Sequence, residues 1–180
     1  MSSPAFSVYE SSIQVYIRGL TSLVGILKKA QASPDAASFP EARLYEDMLP
    51  LSFQVQFLST IVARTVERIA GDASGFQSAK DEKTLEDLIA TAEKSLELAK
   101  SISHKAVEGT EDKTAQIQVG PRGTITTTGR GYLFGWALPN FFFHLTTAYN
   151  ILRSKGVPVG KLDYLQSFIG PYGEPVPNKA

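Results

Sequence analysis

Apolar residues recur every three or four positions along three separate stretches of the chain, which is the period of an amphipathic α-helix. The first stretch follows Ser7, whose spacing to Glu10 matches a capping box, and it ends before Pro34. Its apolar stripe consists of Ile13, Tyr16, Ile17, Leu20, Leu23, Val24 and Leu27. The pattern predicts a first helix of about six turns.

Two further amphipathic stretches predict a second helix over 41–70 and a third over about 81–103. Pro50 lies inside the second stretch. Because proline removes a backbone hydrogen bond and crowds the preceding turn, we expect a kink or break near residues 47–50. Beyond it, the predicted core residues are Leu51, Val55, Leu58, Ile61, Val62 and Ile69. The third stretch carries one apolar stripe and one charged face, which is typical of an exposed helix.

The segment 131–156 contains the single tryptophan and the densest aromatic run of the chain. It is apolar nearly all round, which predicts a fourth helix that is buried on every side. Its length would also suit a membrane span. The three amphipathic partners and the polar residues inside it argue against a span; these residues are Asn140, His144, Thr146, Thr147 and Asn150.

Between the third and fourth helices, the helical spacing of apolar residues is absent from residues 114–128. Apolar and polar residues alternate up to Val119, a turn sequence follows at 120–123, and the next residues are rich in threonine. This pattern predicts a short β-hairpin that leans on the helices. The tail, about 161–180, predicts one short turn near 162–168. We therefore expect an all-α four-helix bundle with one hairpin, in a single domain over 1–180.

Composition narrows the function classes. The chain has 18 basic and 18 acidic residues, so no net field favours nucleic acid or an anionic membrane surface as a partner. It has no cysteine, which removes disulfides and thiolate chemistry. The first residues lack the basic and apolar regions of a secretory signal, and we expect a cytoplasmic protein.

Polar residues suggest a site on the fourth helix. Asn140 and His144 are four positions apart and share one face, which Thr147 continues. Asp47 and Gln54 of the second helix are the expected partners of the imidazole. His144 is either a structural histidine with a satisfied ring or a functional one, with His144 and Asp47 as catalytic residues. The predicted ligand-binding residues are Asn140, Gln54, Trp136, Thr147 and Tyr16. His104 is interpreted as exposed and without a role.

Two segments resemble a known family. PNFFFHLTTAYNILRSKGVPVGKLDYL, over 139–165, is similar to the C-terminal signature of a family of unknown function found in bacteria and fungi. RLYEDMLPLSFQVQ, over 43–56, resembles the second-helix signature of the same family. That family belongs to the DinB/YfiT-like superfamily, so the resemblance implies a DinB-like four-helix bundle.

The resemblance also bears on metal binding. Many superfamily members hold a metal on three histidines, one from the second helix and two from an H-x-x-x-H on the last helix. Here His144 matches the second histidine of that motif, Asn140 stands at the first, and the second helix offers Asp47 or Gln54. One imidazole is a poor donor set for a transition metal. We therefore expect no metal and no cofactor; if a metal binds, His144 and Asp47 would hold it.

Three functions remain open at this point. The first is a metal-independent pocket protein that binds a small organic molecule near His144 and uses this residue as acid or base if it is an enzyme. The second is a divalent-metal-dependent transferase or isomerase with a degenerate site. The third is a non-catalytic, homodimeric interaction module whose bundle faces serve dimerisation. The surplus of apolar surface on the fourth helix predicts a homodimer in any of these cases.

Overall fold

Four long helices form the bundle in the computed structural model of this protein, which describes residues 7–71 and 82–173. They are α2 (Ile13–Gln31), α3 (Leu51–Thr65), α4 (Leu85–Ser101) and α7 (Leu138–Ser154). The short helices are α1 (Val8–Ser11), α5 (His104–Val107), α6 (Gly129–Tyr132) and α8 (Lys161–Ile169). Helix α2 packs against α4, α7 and α8, and α3 packs against α4 and α7. The predicted helical bundle is confirmed.

The first helix begins as its sequence predicts. The backbone N–H of Glu10 donates to Ser7 Oγ at 3.1 Å, and the Glu10 carboxylate accepts from the backbone N–H of Ser7 at 3.3 Å, which completes a capping box. The helix is broken at Ser12, where α1 ends and α2 begins. The predicted stripe of α2 is buried except for Ile17, which is partly buried.

The second helix begins at Leu51, so the predicted start at Glu41 is wrong. Residues Ala36–Glu41 form a 3-10 turn, and an irregular loop runs over 42–50. Pro50 is the N-cap and has an extended conformation. At this position a backbone N–H is not needed for a helical hydrogen bond, so proline is tolerated. The six predicted core residues are all buried. The helix ends through a π-helical turn, Val66–Ala70, and Gly71 with φ of +70°.

The fourth predicted helix is continuous from Gly129 to Ser154, through α6, a π-helical turn (Leu133–Ala137) and α7. Thr128 caps it, since its side chain accepts from the N–H of Gly131. The expectation that it is buried on every side is wrong: Phe134 and Phe143 are 56% and 59% exposed. Helix α7 packs against α2 and α3, and its outer face meets solvent. Across 7–71 and 82–173, no helix has the length and hydropathy of a membrane span.

The predicted hairpin is confirmed between α5 and α6. Strands β1 (Thr114–Gln118) and β2 (Thr124–Thr128) are antiparallel, with Thr114 opposite Thr128 and Ile117 opposite Ile125. Ala115 and Ile117 form the buried face of β1, so the hairpin leans on the bundle as expected.

Both ends of the third helix and the tail differ from prediction. The expected start at Asp81 lies outside the described residues, and α4 starts after Thr84, which forms a capping box with Asp87. The helix ends at Ser101, two residues before the predicted end at Ser103. The tail forms a helix rather than one turn: α8 lies on α2, where Ser22 Oγ donates to the carbonyl of Tyr164 at 2.6 Å. Residues 174–180 lie outside the described part.

Candidate functional site

His144 lies on the face of α7 that meets α3, and only 7% of its surface is exposed. Its Nδ1 is 2.7 Å from the side-chain oxygen Oε1 of Gln54 on α3. Gln54 is buried too. The sequence analysis named both residues, and the structure joins them by a hydrogen bond between helices.

The carboxamide of Gln54 fixes the tautomer of the imidazole. Gln54 Nε2 donates to the backbone carbonyl of Leu49 at 2.9 Å. A carbonyl only accepts, so the amide nitrogen faces Leu49 and Oε1 faces the imidazole. Oε1 also only accepts, so Nδ1 of His144 carries the proton. In the neutral ring, Nε2 then holds a lone pair and acts as an acceptor.

Three phenylalanine rings surround the imidazole. The ring centroids of Phe57, Phe143 and Phe53 are 4.5, 5.1 and 6.0 Å from that of His144. Burial lowers the pKa of His144 from 6.5 to about 4, because the charged imidazolium loses its hydration in these surroundings. The ring is therefore neutral at neutral pH.

The second ring nitrogen of His144 is left free. No hydrogen bond joins Nε2 to any residue of 7–71 or 82–173. Within the same ranges, the fully enclosed side-chain polar atoms without a partner are Arg18 Nε and Glu111 Oε2. Since Nε2 of His144 is not among them, it keeps access to the surface. The site thus presents one oriented acceptor at the edge of an aromatic surrounding.

Asp47 is not the partner of His144. It lies in the loop before α3 rather than on a helix, and it is exposed. No hydrogen bond or ion pair in the described part of the chain joins it to the imidazole. The expected pairing is corrected to Gln54, because Pro50 ends the loop and places Asp47 before the first turn of α3.

Asn140 and Thr147 bond to their own helix. Asn140 Nδ2 donates to the carbonyl of Trp136 at 2.7 Å, and the Thr147 hydroxyl donates to the carbonyl of Phe143, also at 2.7 Å. Trp136 is partly buried, in the π-helical turn before α7. These three residues flank the face of His144, and no described hydrogen bond connects them to its ring.

Tyr16 belongs to a different part of the core. Its hydroxyl is 3.1 Å from Thr65 Oγ1, which is 3.2 Å from the hydroxyl of Tyr132, and Arg68 donates to Tyr132 at 3.3 Å. Burial raises the pKa of Tyr16 far above its ordinary value. Tyr16 is fully enclosed and ties α2 to α3, so the structure does not bring it to the site of His144.

The donors around His144 do not fit the metal of the wider superfamily. Its Nδ1 is occupied by Gln54, and the neighbour across the interface is a carboxamide. The described residues hold no cluster of three or more histidine, aspartate or glutamate side chains suited to a metal ion. A stable transition-metal site generally needs several imidazole or carboxylate ligands.

The sequence analysis missed the aromatic surrounding. Phe53 and Phe57 are four positions apart, so they share one face of α3, and their rings stack at 5.5 Å. Phe53 and Phe57 lie one position before and three positions after Gln54, and this spacing could have predicted aromatic rings near the partner of His144. The predicted stripe of α3 consisted of aliphatic residues, and these two partly buried rings lie beside it.

Comparisons with known proteins agree with the fold. The family model described as "Domain of unknown function (DUF1993)" matches residues 8–165. A crystal structure of a DinB family member protein from Shewanella denitrificans is 30% identical and superimposes with a TM-score of 0.77. The match covers 96% of this chain and 95% of that one. No curated protein matches. The DinB-like four-helix bundle implied by the sequence is confirmed.

Proposed function

This chain belongs to the DUF1993 family, and we propose that it binds a small organic molecule at His144. The free Nε2 acceptor of His144 carries the proposal. The ligand class is an aromatic or apolar molecule with one N–H or O–H donor. The donor bonds to Nε2, and the apolar body packs on the rings of Phe53, Phe57 and Phe143.

The geometry supports binding because the acceptor is built and oriented. The chain of bonds from Leu49 through Gln54 to His144 holds the ring in one tautomer. A polar atom in apolar surroundings gains most from a partner, since the hydrogen bond competes less with water there. A ligand donor at Nε2 would complete the set of bonds that the protein itself leaves incomplete.

Acid–base catalysis is a weaker extension of this proposal. With a pKa of about 4, roughly one imidazole in a thousand is protonated at pH 7. Such a ring is a poor general acid, and its lone pair is a weak base. If the protein is an enzyme, we propose that it works without a metal and that His144 orients the substrate by accepting its donor.

The experiment compares indole with 1-methylindole as probes. The two have similar apolar bodies, but only indole has an N–H. We expect indole to bind about five to ten times more tightly, which corresponds to one hydrogen bond of about 1 kcal/mol. The measurement is a titration followed by the ¹⁵N resonance of His144 Nε2, which should shift with indole.

Two variants test whether the effect comes from His144. His144→Phe should remove the preference for indole while the fold, followed by far-UV circular dichroism, stays helical. His104→Phe removes the other histidine and serves as the matched control, which should keep the preference. Equal binding of both probes by the unaltered protein, or an Nε2 resonance that does not move, would contradict the proposal.

A second candidate function is homodimerisation through the same face. Phe143 is 59% exposed beside His144, and Leu49, whose carbonyl holds Gln54, is 48% exposed. Large apolar side chains that cluster on a surface often mark an interface. A second copy would cover these residues and could close one side of the ligand site.

A further inference from the structure

A cleft of about 690 Å³ lies at the end of the bundle where α1, α5 and α6 meet. Its lining includes Tyr9, His104, Glu108, Glu111, Arg130 and Phe134. The volume suits a small organic ligand, since such pockets are about 300–1,000 Å³. The cleft is separate from the first site: Phe134, on its rim, precedes His144 by ten positions, or roughly 15 Å along a helix.

The inner part of the cleft is apolar. Val107 and Leu133 line it, and each is 1% exposed. The rings of Tyr9 and His104 also line it, and they stack with their centroids 3.7 Å apart. His104 is exposed, as the sequence predicted, but it is part of this stack. An apolar group of a ligand could pack against these side chains.

Two opposite charges line the same cleft and do not pair with each other. Glu111 and Arg130 are close in the backbone, where the N–H of Arg130 donates to the carbonyl of Glu111 at 2.8 Å. No ion pair of the described residues includes either side chain. Glu111 itself is partly buried and lines the cleft, although one of its two carboxylate oxygens, Oε2, is enclosed by the protein without a donor.

A carboxylate in the wall of a cleft, with no cationic side chain of the described residues paired to it, is complementary to a positively charged donor on a ligand. An ammonium group forms charge-assisted hydrogen bonds to a carboxylate. The unpaired guanidinium of Arg130 favours a carboxylate on the same ligand. Glu108 adds a second acidic residue to the lining, so a ligand with a carboxylate alone would meet net repulsion.

We propose that this cleft binds a small zwitterion with an apolar side chain, of the amino-acid type. The ammonium pairs with the carboxylate of Glu111, the ligand's carboxylate pairs with Arg130, and the side chain packs against the Tyr9–His104 stack. This site is independent of the ligand site at His144, and it gives His104 and Arg130 roles that the sequence did not suggest.

The test uses three probes with the same phenyl ring and different charges, titrated into the full chain by calorimetry. L-Phenylalanine carries both charges, 2-phenylethylamine only the ammonium, and 3-phenylpropionate only the carboxylate. We expect phenylalanine to bind most tightly and 3-phenylpropionate least. The resonances of the Tyr9 and His104 rings should shift with phenylalanine, which locates the binding.

Two substitutions separate the charged contacts. Glu111→Gln should weaken phenylalanine binding about tenfold or more, and Arg130→Gln should bring it down to the level of 2-phenylethylamine. Glu67→Gln is the matched control: it makes the same charge change on an exposed residue outside the cleft and should leave binding unaltered. His144→Phe should also leave it unaltered, which distinguishes this proposal from the first.

Three results would overturn the proposal. The first is the absence of saturable phenylalanine binding at millimolar concentration. The second is equal affinity for phenylalanine and 2-phenylethylamine, and the third is an equal effect of Glu111→Gln and Glu67→Gln on binding. Glu111→Gln removes an unpaired charge, so we expect it to fold, and circular dichroism checks this. Arg130→Gln at an exposed position gives an independent measurement on a folded variant.

Discussion

His144 combines a satisfied nitrogen and a free one in a single buried ring. Nδ1 is held by Gln54, which is held in turn by the carbonyl of Leu49. A structural histidine usually has both nitrogens bonded or one of them in water. Here the free nitrogen keeps access to the surface beside three phenylalanine rings, so a ligand that packs on these rings could reach it.

The low pKa of His144 makes stability depend on pH. The ring binds a proton with a pKa of about 4 in the folded chain and near 6.5 in the unfolded chain. Between these values the unfolded state binds more protons, so stability falls as the pH falls from about 6.5 to 4. We expect a loss of about 2–3 kcal/mol in this window from His144.

Urea unfolding at pH 7 and pH 4.5, on the unaltered protein and on His144→Phe, measures this loss. The variant cannot take up the proton, so its stability should change less across the window. His104→Phe is the control, since His104 is exposed and its loss should leave the pH dependence in place. Identical pH dependence in the unaltered protein and His144→Phe would refute the expectation.

At the scale of elements, Gly19 of α2 lies directly against side chains of α7. A Cβ atom added to Gly19 would lie well inside van der Waals contact with the ring of Phe141, and it would also press on Leu145. Gly25 lies on the same helix and is exposed, and nothing would meet a Cβ atom there. Substituting Gly19 therefore tests the packing of α2 on α7, whereas substituting Gly25 tests helix propensity alone.

Gly19→Ala and Gly25→Ala should change stability in opposite directions. We expect Gly19→Ala to destabilise by about 1–3 kcal/mol, because the overpacked ring of Phe141 must move. Gly25→Ala should stabilise by about 0.5–1 kcal/mol, because alanine has the better helix propensity. Thermal unfolding of both variants measures the difference. A stabilised Gly19→Ala would show that α2 and α7 are not packed as described.

At the scale of the whole molecule, the exposed ring of Phe143 on α7 suggests how copies could associate. We expect sedimentation at micromolar concentration to give the mass of about two chains. Phe143→Ser should reduce association, because Phe143 lies on the face that we propose as the interface. Phe134→Ser is the matched control, since Phe134 is equally exposed but lies at the end cleft. A single-chain mass for the unaltered protein would remove the dimer proposal.

The sequence by itself determined the four long helices, the hairpin and the core-facing stripes of the amphipathic helices, but not the start of α3 or the helix α8. These follow from local physics: apolar spacing selects the face of each helix, and capping side chains such as Ser7 and Thr128 set where helices begin. It also identified His144 and Gln54, because both are polar residues on helices expected to pack together.

Only the tertiary structure decided which of these residues meet. Asp47 and Gln54 were equal candidates in the sequence, and the position of Pro50 at the start of α3 left Asp47 in a loop. The phenylalanines around His144 and the cleft between Glu111 and Arg130 depend on helices that are distant in sequence. Periodicity describes one helix at a time, whereas a site depends on the rotation and spacing of several helices, which their packing sets.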